Sequence, residues 1–89
     1  DDMVEKFLKL EQGEDKTVKE YEARFARLSR FATHVIDTEE RRATRFMNGL
    51  RHGIRKFLTA VTLDTYGQVL HKVQRVEKEV EARRKYYKE

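Results

Sequence analysis

The chain has 89 residues, 40% of them charged, and a formal net charge of +4. That length holds one small domain, too small for a large core, so its stability leans on staples or a partner. Cysteine is absent, which excludes disulfides and thiolate metal sites and suits a reducing compartment; proline is absent too, which with the high charge favours helices throughout.

Met3 to Leu10 forms the first predicted helix, with Met3, Phe7 and Leu10 on one side and Leu8 less well placed. The chain opens inside this apolar pattern, the expectation for a piece cut from a longer protein. The helix ends near Gly13, where a glycine can take φ > 0 as the chain turns. Thr17-Val18-Lys19-Glu20 is a capping box, and the helix it opens runs from about Val18 to Phe31. Val18, Tyr21, Phe25, Leu28 and Ala32 make its apolar stripe. Arg24 flanks that stripe, from where a guanidinium can fold back over the turn and bind carbonyls or a carboxylate. Gln12 and Arg24 are therefore expected to be partly buried and hydrogen-bonded around the turn.

Asp37 or Thr38 caps the third helix, Asp37 and Glu40 having capping-box spacing. Its apolar face is Ala43, Phe46, Met47 and Leu50, with Gly49 just before its end. The fourth helix is short and carries Ile54, Phe57, Leu58 and Val61 at i, i+3, i+4 and i+7. Asp64 or Thr65 opens the fifth, whose stripe is Tyr66, Val69, Leu70, Val73, Val76 and Val80; Gly67 in its first turn costs up to about 1 kcal/mol relative to Ala. Val69, Val73, Val76 and Val80 have coiled-coil spacing, but over too few heptads to stand alone, so they read as intradomain core. Past Val80 the stripe fails: Tyr86 and Tyr87 sit among charges. Residues 81–89 read as a charged helical extension or linker that frays, and residues 1–80 as the domain.

The pattern as a whole predicts an all-α fold, a compact bundle of about five helices. Tyr21, Phe25, Leu28, Phe46, Leu50, Ile54, Phe57, Leu58, Val69 and Val73 are expected to meet in one core. No internal repeat, low-complexity tract or strand-period segment is present.

Gln12-Gly13, then Tyr21, then Arg24-Phe25 resembles the major homology region in the C-terminal domain of Gag capsid proteins. Phe25 to Glu40, and the string Arg45-Phe46-Met47-Asn48-Gly49-Leu50-Arg51-His52-Gly53-Ile54-Arg55, are similar to the Gag of plant gypsy-type LTR retrotransposons. The resemblance covers roughly residues 3 to 80. Two positions depart from the family pattern. Lys16 stands where the family has a Glu, which Glu14 or Asp15 would have to replace, and Thr33 stands where relatives often have proline.

The resemblance implies a fold like the retroviral capsid C-terminal domain, with Gln12, Gly13, Tyr21, Arg24 and Phe25 as its structural motif. It implies a structural role, the oligomerisation of capsid protein into virus-like particles in the cytoplasm, in an active element or a domesticated relative such as Arc. The partner would be other copies of the chain. RNA would be engaged weakly or indirectly, with no membrane, no cofactor and no small-molecule substrate. Two alternatives stand beside it: a dimerisation module like the SCAN domains of transcription factors, and a small helical nucleic-acid-binding domain.

Retroviral relatives pair through the helix matching the third one here, using exposed apolar side chains. In this chain the opposite side of that helix carries Arg41, Thr44, Arg45 and Asn48. Like charges on a two-fold axis repel, so a tight dimer through that surface is not expected. Association is expected to be weak, or to run through the terminal segments: Met3 to Leu10, which includes Phe7, and the fifth helix.

Most basic residues are interleaved with acids, the pattern of a solvated helix surface. The densest basic cluster is Arg41, Arg42 and Arg45, with Arg51, Arg55 and Lys56 nearby; it offers a weak, salt-dependent phosphate contact without interleaved aromatics. Catalysis finds little support. His34, His52 and His71 are far apart and lack ligand-spaced partners, and no phosphate loop, nucleophile elbow or carboxylate pair appears. No apolar run is long enough to span a bilayer, and no signal peptide is visible.

Overall fold

Thr17 begins the element on which the rest is organised. Its hydroxyl accepts from the Glu20 amide at 3.1 Å, and the Glu20 carboxylate accepts from the Thr17 amide at 2.9 Å, closing the expected capping box. The computed structural model describes residues 2–58 and 65–87. Its helices are α1 (Asp2–Leu8), α2 (Val18–Ser29), α3 (Glu39–Asn48), the single turn α4 (His52–Arg55) continued by a 3₁₀ turn at Lys56–Leu58, and α5 (Tyr66–Tyr87). The described residues contain no strand. The fold is a compact all-α bundle of about five helices.

All of the α2 stripe is buried, from Val18 to Ala32. α1 packs on α2, and α5 packs on α2, α3 and α4. Phe25 is the hub of the core. Its ring meets Phe7 at 5.1 Å, Phe46 edge-on at 5.1 Å and Tyr66 stacked at 5.5 Å. Tyr21, Leu28, Phe46, Leu50, Ile54, Leu58, Val69 and Val73 join the same cluster, as the pattern predicted.

Several expectations need correction. Phe57 is 49% exposed. The chain tightens to 3₁₀ geometry at Lys56–Leu58, which carries residue 57 off the 3.6-residue stripe while Leu58 stays inside. Phe7, a candidate interface residue, is fully buried, because α1 lays it against Phe25. Gly13 does not adopt positive φ; it opens an ordinary turn in which its carbonyl accepts from the Lys16 amide at 3.1 Å. Thr38, not Asp37, caps α3, accepting from the Arg41 amide at 3.0 Å, while Asp37 pairs with the Arg41 side chain. α1 stops at Leu8 rather than Leu10, and α2 at Ser29 rather than Phe31.

Thr65 opens α5 through a second reciprocal box with Gln68. The helix does not fray at Val80 but continues to Tyr87, through residues of high helix propensity and with Glu81 held by Arg51 and Arg84. Val61, Asp64, Lys88 and Glu89 lie outside the described residues.

Two carboxylates close helix starts that are distant in sequence. Glu77 of α5 accepts from the Val18 amide at 2.7 Å, and Glu39 of α3 accepts from the Tyr66 amide at 3.0 Å. Each satisfies an amide that has no partner within its own helix, and each places negative charge at a helix N-terminus.

Candidate functional site

The turn between α1 and α2 is built around Gln12, only 5% exposed. Its backbone amide donates to the Gly49 carbonyl at 2.7 Å. Its side-chain amide donates to the Lys16 carbonyl at 2.9 Å, and its side-chain oxygen accepts from the Arg51 amide at 3.2 Å. One residue thus ties the turn to itself and to the α3–α4 junction. Lys16, which breaks the family pattern as a side chain, contributes through its carbonyl.

Arg24 takes no part in this. It is exposed, and no hydrogen bond or ion pair joins it to the described residues. Arg51 occupies the expected role instead. Its guanidinium donates to the Glu14 carbonyl at 3.1 Å and to Glu81 at 3.0 Å, with the side chain only 8% exposed. Tyr21 and Phe25 are both core.

Arg45 was a candidate for both the interface and phosphate contact, and it turns inward. It donates to the Phe7 carbonyl at 2.6 Å and the Leu10 carbonyl at 2.9 Å, with its guanidinium carbon 5.4 Å from the Phe7 ring centroid. It closes the C-terminal end of α1, where carbonyls lack helical partners. The heptad-like pattern of α3 gives no hint of this, because it marks Arg45 as opposite the core and cannot see that α1 ends there. Arg42 lies 4.7 Å from the Tyr66 ring centroid, Arg41 pairs with Asp37, Arg55 donates to the Asn48 carbonyl at 3.1 Å, and Lys56 sits 5.3 Å from the Phe57 ring centroid. The basic cluster read from the sequence is therefore not one open patch. Arg41, Thr44 and Asn48 are exposed on α3.

Burial shifts two phenols. The Tyr21 hydroxyl donates to the Phe46 carbonyl at 3.0 Å in the core, and desolvation pushes it up to about 12 against the opposing charge of Arg45. Desolvation likewise pushes Tyr66 up to about 12, with Glu22 adding to the effect. Glu20 is held below the usual carboxylate range by its bonds from Thr17. None of these groups converges with another on an open cleft. The three histidines are exposed on separate elements, and no group of three or more metal-ligating side chains occurs among the described residues.

Comparison with protein-family models, curated proteins and solved structures finds no match.

One surface feature of the described residues is apolar. Phe57 lies against a groove formed with Val76 and Val80 of α5, edged by Arg75, Glu79 and Arg83. No helix among the described residues is long and apolar enough to cross a membrane.

Proposed function

We propose that this chain is a self-association domain of the capsid type, the C-terminal domain of a retrotransposon Gag polyprotein or of a domesticated relative. Its work is the oligomerisation of capsid protein into particles, with no catalysis. The observation that carries the reading is Gln12: the glutamine of the motif is buried and makes three hydrogen bonds that lock the turn ahead of α2. A helical pair needs no such device to pack. A domain that must present fixed surfaces to several neighbours benefits from a rigid turn.

The groove at Phe57, Val76 and Val80 supplies the contact surface in this reading. Its rim carries Lys72, Arg75 and Arg83 with the single acid Glu79, so a second copy turned about a two-fold axis gains where each Glu79 faces a basic residue and association stays weak around the apolar centre. The outer face of α3 offers Arg41, Thr44 and Asn48, with little apolar area to bury. Weak contacts of this kind build a shell by avidity.

Sedimentation velocity across a wide concentration range tests the proposal. The mass of the wild type is expected to rise reversibly with concentration, and Phe57→Ser to remove that rise while the helical signal is kept. A wild type that stays monomeric at the highest concentrations would overturn it.

A further inference from the structure

With the arginines of α3 and α4 engaged, an open basic surface among the described residues is found on α2. Lys19, Arg24, Arg27 and Arg30 are all exposed along α2, and no hydrogen bond or ion pair joins any of them to the described residues. At helical spacing Lys19, Arg27 and Arg30 share the side opposite the buried Tyr21, Phe25 and Leu28, and Arg24 flanks it. Glu20, bound into the capping box with Thr17, and Glu22 stand on the same helix and offset part of this charge, leaving an excess of two positive charges over Lys19 to Arg30. Around Arg24 the charges balance: Asp2, Glu5 and Glu11 share that hollow with Lys6, Lys9 and Arg24 itself. Positive potential is thus concentrated at Arg27 and Arg30. Phe31 follows them, 45% exposed, one helical turn beyond Arg27. The chain turns there just past the end of α2, its Phe31 amide donating to the Leu28 carbonyl at 3.0 Å.

We propose that this face of α2 binds single-stranded nucleic acid along its backbone. Guanidinium forks match phosphate oxygens in geometry and charge. Lys19 to Ser29 spans ~15 Å of helix, with Arg30 and Phe31 in the turn beyond it, the scale of a few nucleotides. The exposed Phe31 ring selects the partner class, because an unpaired base can stack on it. An acidic peptide would meet the charges but has no flat face for the ring, and a duplex keeps its bases stacked on one another. This surface lies apart from the Phe57 groove, and the inference holds whether or not the chain self-associates.

Fluorescence anisotropy with a labelled single-stranded RNA of mixed sequence tests it on the whole chain. Four phosphate contacts predict an affinity that falls about 50-fold between 50 and 200 mM salt. Arg24→Gln/Arg27→Gln/Arg30→Gln is expected to abolish binding, and Phe31→Ala to weaken it about tenfold with the salt slope unchanged. The matching triple change Arg41→Gln/Arg55→Gln/Lys56→Gln is expected to leave binding nearly unaltered. Circular dichroism confirms that the variants fold. The inference is overturned by absent binding at 50 mM salt or by an α2 triple variant that binds like wild type. It is also overturned if Phe31→Ala has no effect while polyglutamate or duplex RNA competes as well as the single strand.

Discussion

Gly49 lies directly beneath the hydroxyl end of Tyr21. A Cβ at residue 49 would come within 2.9 Å of Tyr21 Cζ and 2.8 Å of the Leu10 carbonyl oxygen. The glycine is not there for backbone freedom, since its φ of −91° is open to any residue. It is there because α3 ends where α2 and the α1–α2 turn converge. Gly49→Ala is therefore expected to lose about 1–3 kcal/mol, wholly steric in origin. Chemical denaturation of the two proteins measures it; an unchanged midpoint would mean that the Tyr21 ring moves aside without penalty.

Replacing arginines separates the two candidate networks. Arg45→Ala removes the donors that close α1 and is expected to lose about 1.5–3 kcal/mol, the range for hydrogen bonds to a charged group. Arg24→Ala removes an exposed side chain and is expected to change stability by no more than ~0.5 kcal/mol. Thermal melts in parallel give the comparison, and the reverse order would restore Arg24 to the motif.

Core truncations have a similar internal control. Phe25→Ala or Phe46→Ala is expected to cost about 3–5 kcal/mol, enough to unfold a domain of this size. Phe57→Ala is expected to leave a folded protein, because its ring is half in solvent. Proton NMR dispersion at room temperature distinguishes these outcomes.

The two buried phenols set an alkaline limit. Their pKa in the fold, about 12, exceeds the ordinary value of 10.0, so the folded state holds protons that the unfolded chain releases first. Their contribution is complete below pH 10 and is lost as pH rises from 10 towards 12. Ionising Tyr21 also removes its bond to the Phe46 carbonyl. Denaturant midpoints at pH 9, 10.5 and 11.5 are expected to fall in that order. Tyr21→Phe is expected to start lower but fall less steeply.

Legibility followed the reach of each interaction. The α2 stripe, the Thr17–Glu20 box and most of the core are local or periodic, and each was plain in the sequence. Gln12 was found because a motif names it. Arg51 and Arg45 were missed because their partners lie 30 to 38 residues away in sequence, a distance at which neither spacing nor propensity carries information. Phe57 was misplaced because one turn of 3₁₀ helix shifts the phase of the pattern, and nothing in Lys56-Phe57-Leu58 announces that shift. The end of α5 was set short because its support is ionic rather than apolar.

The carboxylate of Glu77 has a bearing on the order in which the chain can mature. The first amide of α2 finds its acceptor 59 residues downstream, so the helix at the centre of the core is completed only once α5 has been synthesised. Until α5 arrives, that amide can turn only to water, and the aromatic rings of α2 have no Tyr66 to cover them. A ribosome-bound fragment ending before α5 would carry helical tendency without a settled interior. Folding of this domain thus waits for α5, which delays the moment at which a nascent chain displays its finished surfaces to its neighbours.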